Sequence, residues 1–150
     1  MQANLIPQFA VNRMTVQSNN PVFGLNALGG AVTLEMKNGF TFQGTNIQLS
    51  GGSYGNTADF AEQGARIGDF GFYAAIGGTH DDGFRYVSPT ALRQGYVDFG
   101  WEKEAFTFHV SASLASNFLG ATGPTPVQML ALDPRSIFTT PQSIANQAAL

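Results

Sequence analysis

The chain has 150 residues, a formal net charge of −3 and no cysteine. Cysteine-based zinc sites, disulfides and thiol catalysis are therefore excluded, and without a basic cluster to meet phosphates no nucleic-acid partner is expected. Charged residues make up 11% of the chain, against about 25% in ordinary soluble domains, and the 18 glycines are well above the usual share of about 7%. Such a composition fits a protein that meets lipid through β-strands better than it fits a soluble enzyme.

The first stretch, MQANLIPQFAVNRM, has neither the basic start nor the unbroken apolar core of a secretory signal. No window of the chain approaches the ~18 consecutive apolar residues of a membrane-spanning helix. Val11 to Gln17 alternates weakly and is expected to form a strand.

Residues 20–37 read NPVFGLNALGGAVTLEMK. Asn20-Pro21 starts a turn, because proline biases the residue before it away from the helix. Gly24 and Asn26 suit a tight bend, and Gly29-Gly30 lets backbone pass close to backbone. Ala31 to Lys37 then alternates apolar and polar, as a half-buried strand does. On local chemistry alone this is a loop leading into a strand. Its ordered run, Phe23-Gly24, Asn26-Ala27, Gly29-Gly30 and Lys37 with Gly39, resembles the end of the plug domain of TonB-dependent outer-membrane receptors. There a segment of the same outline closes the plug and leads into the first barrel strand. Phe23 stands for the family's common Tyr, Met36 for its Thr, and Ser18-Asn19-Asn20-Pro21 replaces an upstream Arg-Gly-Pro.

From Phe40 the period is two. Thr45, Ile47 and Leu49 interleave with Asn46, Gln48 and Ser50, and GGSYGN (51–56) makes a glycine-rich turn. A second strand is expected over Thr57 to Ile67, where Asp59, Glu62, Gln63 and Arg66 spoil the alternation. Gly68 to Gly71 turns. The third strand, Phe72 to Thr79, puts Phe72, Ala74 and Ile76 on one face and Tyr73 and Ala75 on the other. The polar loop HDDGFRYVSPT follows, holding His80, Asp81, Asp82 and Arg85, candidates for the ligand side. His80 with two carboxylates suggests a metal, but neighbours on a strand point to opposite faces. A solvated loop with an Asp-Gly turn is the simpler reading.

The fourth strand, about Arg93 to Glu102, sets Val97, Phe99 and Trp101 against Tyr96, Asp98 and Gly100, and residues 102–104 turn. The fifth is the most regular: Phe106, Phe108, Val110, Ala112 and Leu114 alternate with Thr107, His109, Ser111 and Ser113. A barrel strand needs roughly 9–11 residues to cross a bilayer, so Val97, Phe99, Trp101, Phe106, Phe108, Val110 and Leu114 are assigned to lipid. Trp101, Phe99, Tyr96 and Tyr54 are expected in the aromatic belts at the interfaces. His109, on the polar face, is expected to bond its neighbours. The prolines at 124, 126, 134 and 141 rule out a long helix or central strand. The tail is read as an extended loop from about residue 117, with a short helix at Val127 to Leu132 and a sixth strand near Asn146.

The fold expected is all-β: an antiparallel hairpin meander forming part of a transmembrane β-barrel (residues 40–150), preceded by the end of a plug domain (1–39). The resemblance implies a piece of a larger receptor in the Gram-negative cell outer membrane, exported by an upstream signal peptide. It implies TonB as a partner through a segment not in this chain, outer-membrane lipid around the barrel, and a scarce nutrient such as an iron–siderophore as ligand. A structural or adhesive β-protein, either another outer-membrane barrel or a soluble β-sandwich, is the alternative, and a secreted binding module a third. No nucleophile elbow, P-loop or G-x-G-x-x-G spacing supports an enzyme, and no cofactor is expected.

Overall fold

A computed structural model describes residues 6–17, 31–86, 88–121, 124–138 and 142–149. The plug-like motif residues Asn20, Pro21, Gly24, Asn26, Ala27, Gly29 and Gly30 lie outside them.

The fold is all-β with one short helix. Strands β1 (Val11–Gln17) and β2 (Ala31–Met36) pair antiparallel into a two-stranded sheet. Strands β3 (Gly44–Gly51), β4 (Thr57–Ile67), β5 (Phe70–Asp81), β6 (Thr90–Lys103), β7 (Phe106–Ala121) and β8 (Gln142–Ala149) form a six-stranded meander in which every strand pairs with its neighbours in sequence. The sheet does not close: β3 and β8 are its two edges.

Connections alternate in length. At one end, residues 68–69 and 104–105 make two-residue hairpins, with Gly68 and Glu104 at positive φ as such turns require. At the other end, residues 52–56, 82–89 and 122–141 connect the strands, the last containing helix α1 (Val127–Leu132).

Several strands outrun their sequence assignments. β7 continues from Phe106 to Ala121 instead of giving way to a loop near 117. Its last residues pair with both β6 and β8, so ladder hydrogen bonds hold them extended although their alternation fades. β8 begins at Gln142, ahead of Asn146. Phe70 and Gly71, assigned to a turn, open β5, and Glu102 and Lys103, also assigned to a turn, close β6.

Directly paired residues share a face, so the register fixes two faces. One row crosses Ala65, Phe72, Phe99 and Val110, and another crosses Ala61, Ile76, Gly95 and Leu114. These belong to the outer face, which no other element among the described residues covers. The inner face carries Glu62, Tyr73, Ala75, Tyr96 and Asp98. Onto it folds the N-terminal part of the chain: the 3-10 turn Gln8–Ala10 and the segment 37–43 that leads from β2 to β3.

The core lies under that cover. Ala10 and Tyr73 are fully buried, Ala75 and Tyr96 nearly so, and Phe9, Met36, Phe42 and Phe60 pack against them. Glycines on the inner face make the approach possible. A Cβ on Gly71 would sit 2.5 Å from the Phe40 ring, one on Gly77 2.9 Å from the Phe9 ring, and one on Gly64 inside the Phe42 carbonyl. Part of the unusual glycine content is thereby explained: these residues supply space for a second layer.

Candidate functional site

Glu62, on the inner face of β4, is 3% exposed. Three donors from three elements satisfy its carboxylate: Lys37 Nζ at 2.7 Å, Tyr73 OH at 2.6 Å and Asn46 Nδ2 at 3.1 Å. Lys37 is itself half-buried, lies 5.0 Å from the Phe42 ring centroid, and donates its backbone N–H to the Ala10 carbonyl at 2.7 Å. The ion pair therefore ties β2's exit, the 3-10 turn and the sheet wall at one point. Every charge in it is compensated and hydrogen-bonded, the condition under which a buried pair is tolerated.

Towards the two-residue hairpins, Asp98 on β6 is 4% exposed and lies 3.1 Å from Nδ1 of His109 on β7. Nε2 of the same ring is 3.7 Å from Glu102. Phe40 meets the His109 ring edge-on at 5.8 Å, and Arg66 stacks over Phe40 at 5.0 Å. His109 thus bonds a neighbour and touches the covering segment. Tyr96, expected at an interface belt, instead sits buried mid-strand beside Tyr73. Its place in β6 puts it on the face that Asp98 shares, and the cover above that face excludes it from any belt.

At the long-loop end the four candidate residues do not converge. His80 Nε2 lies 3.1 Å from Asp82, while Asp81 accepts from the Asn56 amide at 2.7 Å and the Gly83 N–H at 2.5 Å. Gly83, at φ 81°, makes the turn after Asp82. Arg85 reaches across to the Thr125 hydroxyl at 3.3 Å. What does gather there is an aromatic cluster around Arg135. Its guanidinium donates to the Phe84 carbonyl at 2.9 Å and faces Tyr86 at 4.9 Å and Tyr54 at 6.0 Å. Tyr54 and Phe84 meet edge-on at 5.5 Å. These contacts join all three long connections. Sequence reasoning missed Arg135, Tyr86 and Phe84, because only the folded meander brings position 135 back to positions 54 and 86. Among the described residues no three His, Asp or Glu side chains gather to hold a metal ion.

The outer face is the reverse of the inner one. Ile47 is 67% exposed, Ile76 66% and Leu114 61%. Phe106, Phe108, Val110, Leu114, Val97 and Phe99 all stand open on it, with Trp101 half-buried beside Phe108. Its few polar groups within the apolar rows are paired: the Thr45 hydroxyl donates to the Gln63 side chain opposite it. Phe70, Phe72, Phe99, Trp101, Phe106 and Phe108 crowd the hairpin end, while Asp59, Arg93 and Ser116 mark the loop end. Among the described residues no helix is long and apolar enough to cross a membrane, which has no bearing on strands.

Comparison with protein-family models, with curated proteins and with solved structures gave no match.

Proposed function

We propose that this chain is part of a TonB-dependent outer-membrane receptor, carrying the close of its plug and the first six strands of its barrel. The whole receptor takes up an iron–siderophore or another scarce nutrient, with TonB engaging a segment that precedes this chain. One observation carries the reading: the sheet buries Glu62, Asp98 and Tyr73 and leaves Ile47, Ile76, Val110 and Leu114 open. In water each such apolar side chain forgoes about 1.5–3 kcal/mol of burial, and soluble monomers rarely expose apolar patches above a few hundred Å². In a bilayer the same face is at its optimum.

The dimensions agree with that solvent. From Phe106 to Leu114 a strand advances about 27 Å at ~3.4 Å per residue. Tilted by ~40°, it spans roughly 21 Å, against an apolar band of about 25 Å in outer-membrane barrels. Short turns at one end and long loops at the other match periplasmic and extracellular sides. Open strand edges do not persist in lipid, so β3 and β8 call for further strands to complete the barrel.

A structural or adhesive barrel would share the outer face. The feature that favours a receptor is the tied segment on the inner face, Lys37 to Gln43, in the place where a plug would meet the wall. The test has two parts. Envelope fractionation of cells producing the complete protein is expected to recover it in the outer membrane, and recovery in the soluble periplasm would refute the reading. Uptake of labelled ferric siderophores is then expected to need both TonB and an energised inner membrane. Outer-membrane location with no energy-dependent uptake of any scarce nutrient offered would assign the protein to the structural class.

A further inference from the structure

Asn-Gly occurs once in the chain, at Asn38-Gly39. It lies in the segment that folds back onto the inner face. Asparagine is thermolabile, and a following glycine makes it most so. Glycine has no side chain to block attack by its own backbone nitrogen on the asparagine side chain, and its free backbone lets the two meet.

The fold holds the reacting atoms apart. The Asn38 side-chain oxygen accepts the backbone N–H groups of Phe40 and Thr41, both at 2.9 Å. The Asn38 N–H donates to the Thr41 hydroxyl at 2.9 Å, and the Asn38 carbonyl accepts from the Phe42 N–H at 3.0 Å. Side chain and backbone of Asn38 are thus both pinned. Gly39 is buried, and a Cβ there would fall on the backbone of Ala65, Gly71 and Phe72. Ring closure needs the chain to rotate between Asn38 and Gly39, and the wall leaves Gly39 no room to turn. The contacts that keep it there flank it: Lys37 on Glu62, Phe40 against His109, and Phe42 edge-on to Tyr73 at 5.8 Å.

We propose that Asn38 is a spontaneous modification site gated by the seating of this segment. It is closed while Gly39 sits against the wall, reactive once the segment leaves it, and barred from return after reaction. The Gly39 nitrogen gives its proton to a solvent base and attacks Asn38 Cγ. The bond from Cγ to the side-chain nitrogen breaks and ammonia leaves, giving a five-membered succinimide. One water then opens the ring at either carbonyl, leaving aspartate or isoaspartate. In the isoaspartyl product the main chain runs through the former side chain and is one methylene longer. The oxygen that held Phe40 and Thr41 becomes a main-chain carbonyl. A seat with no space for a Cβ on Gly39 has none for a longer chain. The site therefore records time spent off the wall. The inference rests on the packing of the inner face and is independent of what the protein transports.

The test follows isoaspartate at position 38 by peptide mapping of the complete protein, folded in detergent and held warm at mildly alkaline pH. A synthetic peptide of residues 33–44 gives the free-chain rate. Folded wild type is expected to convert about tenfold more slowly than the peptide, because the site reacts only for the fraction of time it is off its seat. Lys37→Met, compared with a peptide carrying the same change, is expected to move towards the peptide rate. Isomerisation at Asp82-Gly83, outside the segment, is expected to stay at its wild-type rate. Equal rates in folded wild type and peptide overturn the gate. So does an unchanged rate in Lys37→Met, or one raised alike at both sites, which is the loss of the whole sheet. Converted protein is expected to be cut by protease within residues 37–43 faster than Asn38→Asp, which carries the same charge on an ordinary backbone. Equal cutting overturns the bar to reseating.

Discussion

Neighbouring residues along single strands meet opposite surroundings in this sheet. Ile76 is 66% exposed and Ala75 6%; Val97 is 46% exposed and Asp98 4%. In each pair the larger, more apolar side chain is the open one. A sheet folded in water has the opposite order, because burial of apolar area drives folding and a buried carboxylate must be compensated. The inversion recurs in β4, where Glu62 is buried beside half-buried Ala61, and in β7, where Leu114 is 61% exposed and Ala115 7%, so it belongs to the face and not to one residue; β3, at the edge, is exposed on both faces. The inner face combines an aromatic core with compensated charges and hydrogen bonds, whereas the outer face is mostly apolar side chains left open.

The sharpest way to break the contrast is to strike the inner face at its tie. Glu62→Ala leaves the Lys37 ammonium in a crowded, half-buried site without its anion and removes the acceptor for Tyr73 and Asn46. The expected loss is about 3–5 kcal/mol, measured by urea unfolding of the complete protein in detergent. A double replacement, Lys37→Met with Glu62→Leu, removes both charges and is expected to cost much less. Equal losses would mean that the pair does not hold the segment to the wall.

Next in size is a charge on each face at matched depth. Val110→Arg on the outer face is expected to cost about 2–4 kcal/mol if it lies near the bilayer midplane, read by refolding into lipid vesicles. Ser111→Arg, one residue on, points inward opposite Asp98. It gives up one hydroxyl contact and gains an anion nearby, so its cost is expected to stay below about 1.5 kcal/mol. Equal costs would show that the two faces meet the same solvent.

A smaller effect tests the seating of the cover. Gly39→Ala drives a methyl group into the backbone of Gly71 and Phe72, which must separate to accept it. The expected cost is about 1–3 kcal/mol, together with faster proteolysis of the segment 37–43. An unchanged protease pattern would mean that close packing at Gly39 does not hold the segment, leaving Lys37 and the side chains of Phe40 and Phe42 to do so.

The smallest effect lies at the long-loop end of β5, past the apolar band. Hydrogen bonds from the Asn56 amide and the Gly83 N–H hold the Asp81 carboxyl below its ordinary range. The folded value is depressed, so this stabilisation is present above the unfolded carboxylate value near about 4 and fades as pH falls through the folded one. Protection of the Gly83 amide, taken relative to the free-peptide rate at the same pH, is expected to fall only in that acidic window. A loss of protection already near neutrality would point to another group.

Much of the strand inventory was legible in the sequence. The period-two run from Phe106 to Leu114 specified both its conformation and which residues share a face, because alternation is the direct imprint of a strand with two unlike surroundings. The limits of β4 came from the turn residues at each end. The short helix at Val127–Leu132 followed from prolines bounding a brief apolar run. The later part of β7 was not legible, since its extended form depends on pairing with residues far along the chain. Tyr96 was misplaced for a related reason. Alternation separates the two faces of a strand, but it does not say that a second layer will bury one of them in the middle.

By itself, then, the sequence determined the number and rough limits of the strands, the two-sided character of the sheet, and the absence of thiol chemistry and of basic clusters. These are local properties, written in periodicity and composition. Only the tertiary structure decided that Glu62 would receive Lys37, Tyr73 and Asn46, that glycines would admit Phe40 and Phe9 against the wall, and that Arg135 would meet Tyr54 and Tyr86. Each of these joins residues from separate parts of the chain, and which of them meet is fixed by hairpin register and by which face the chain folds back upon, quantities that no single stretch of sequence contains.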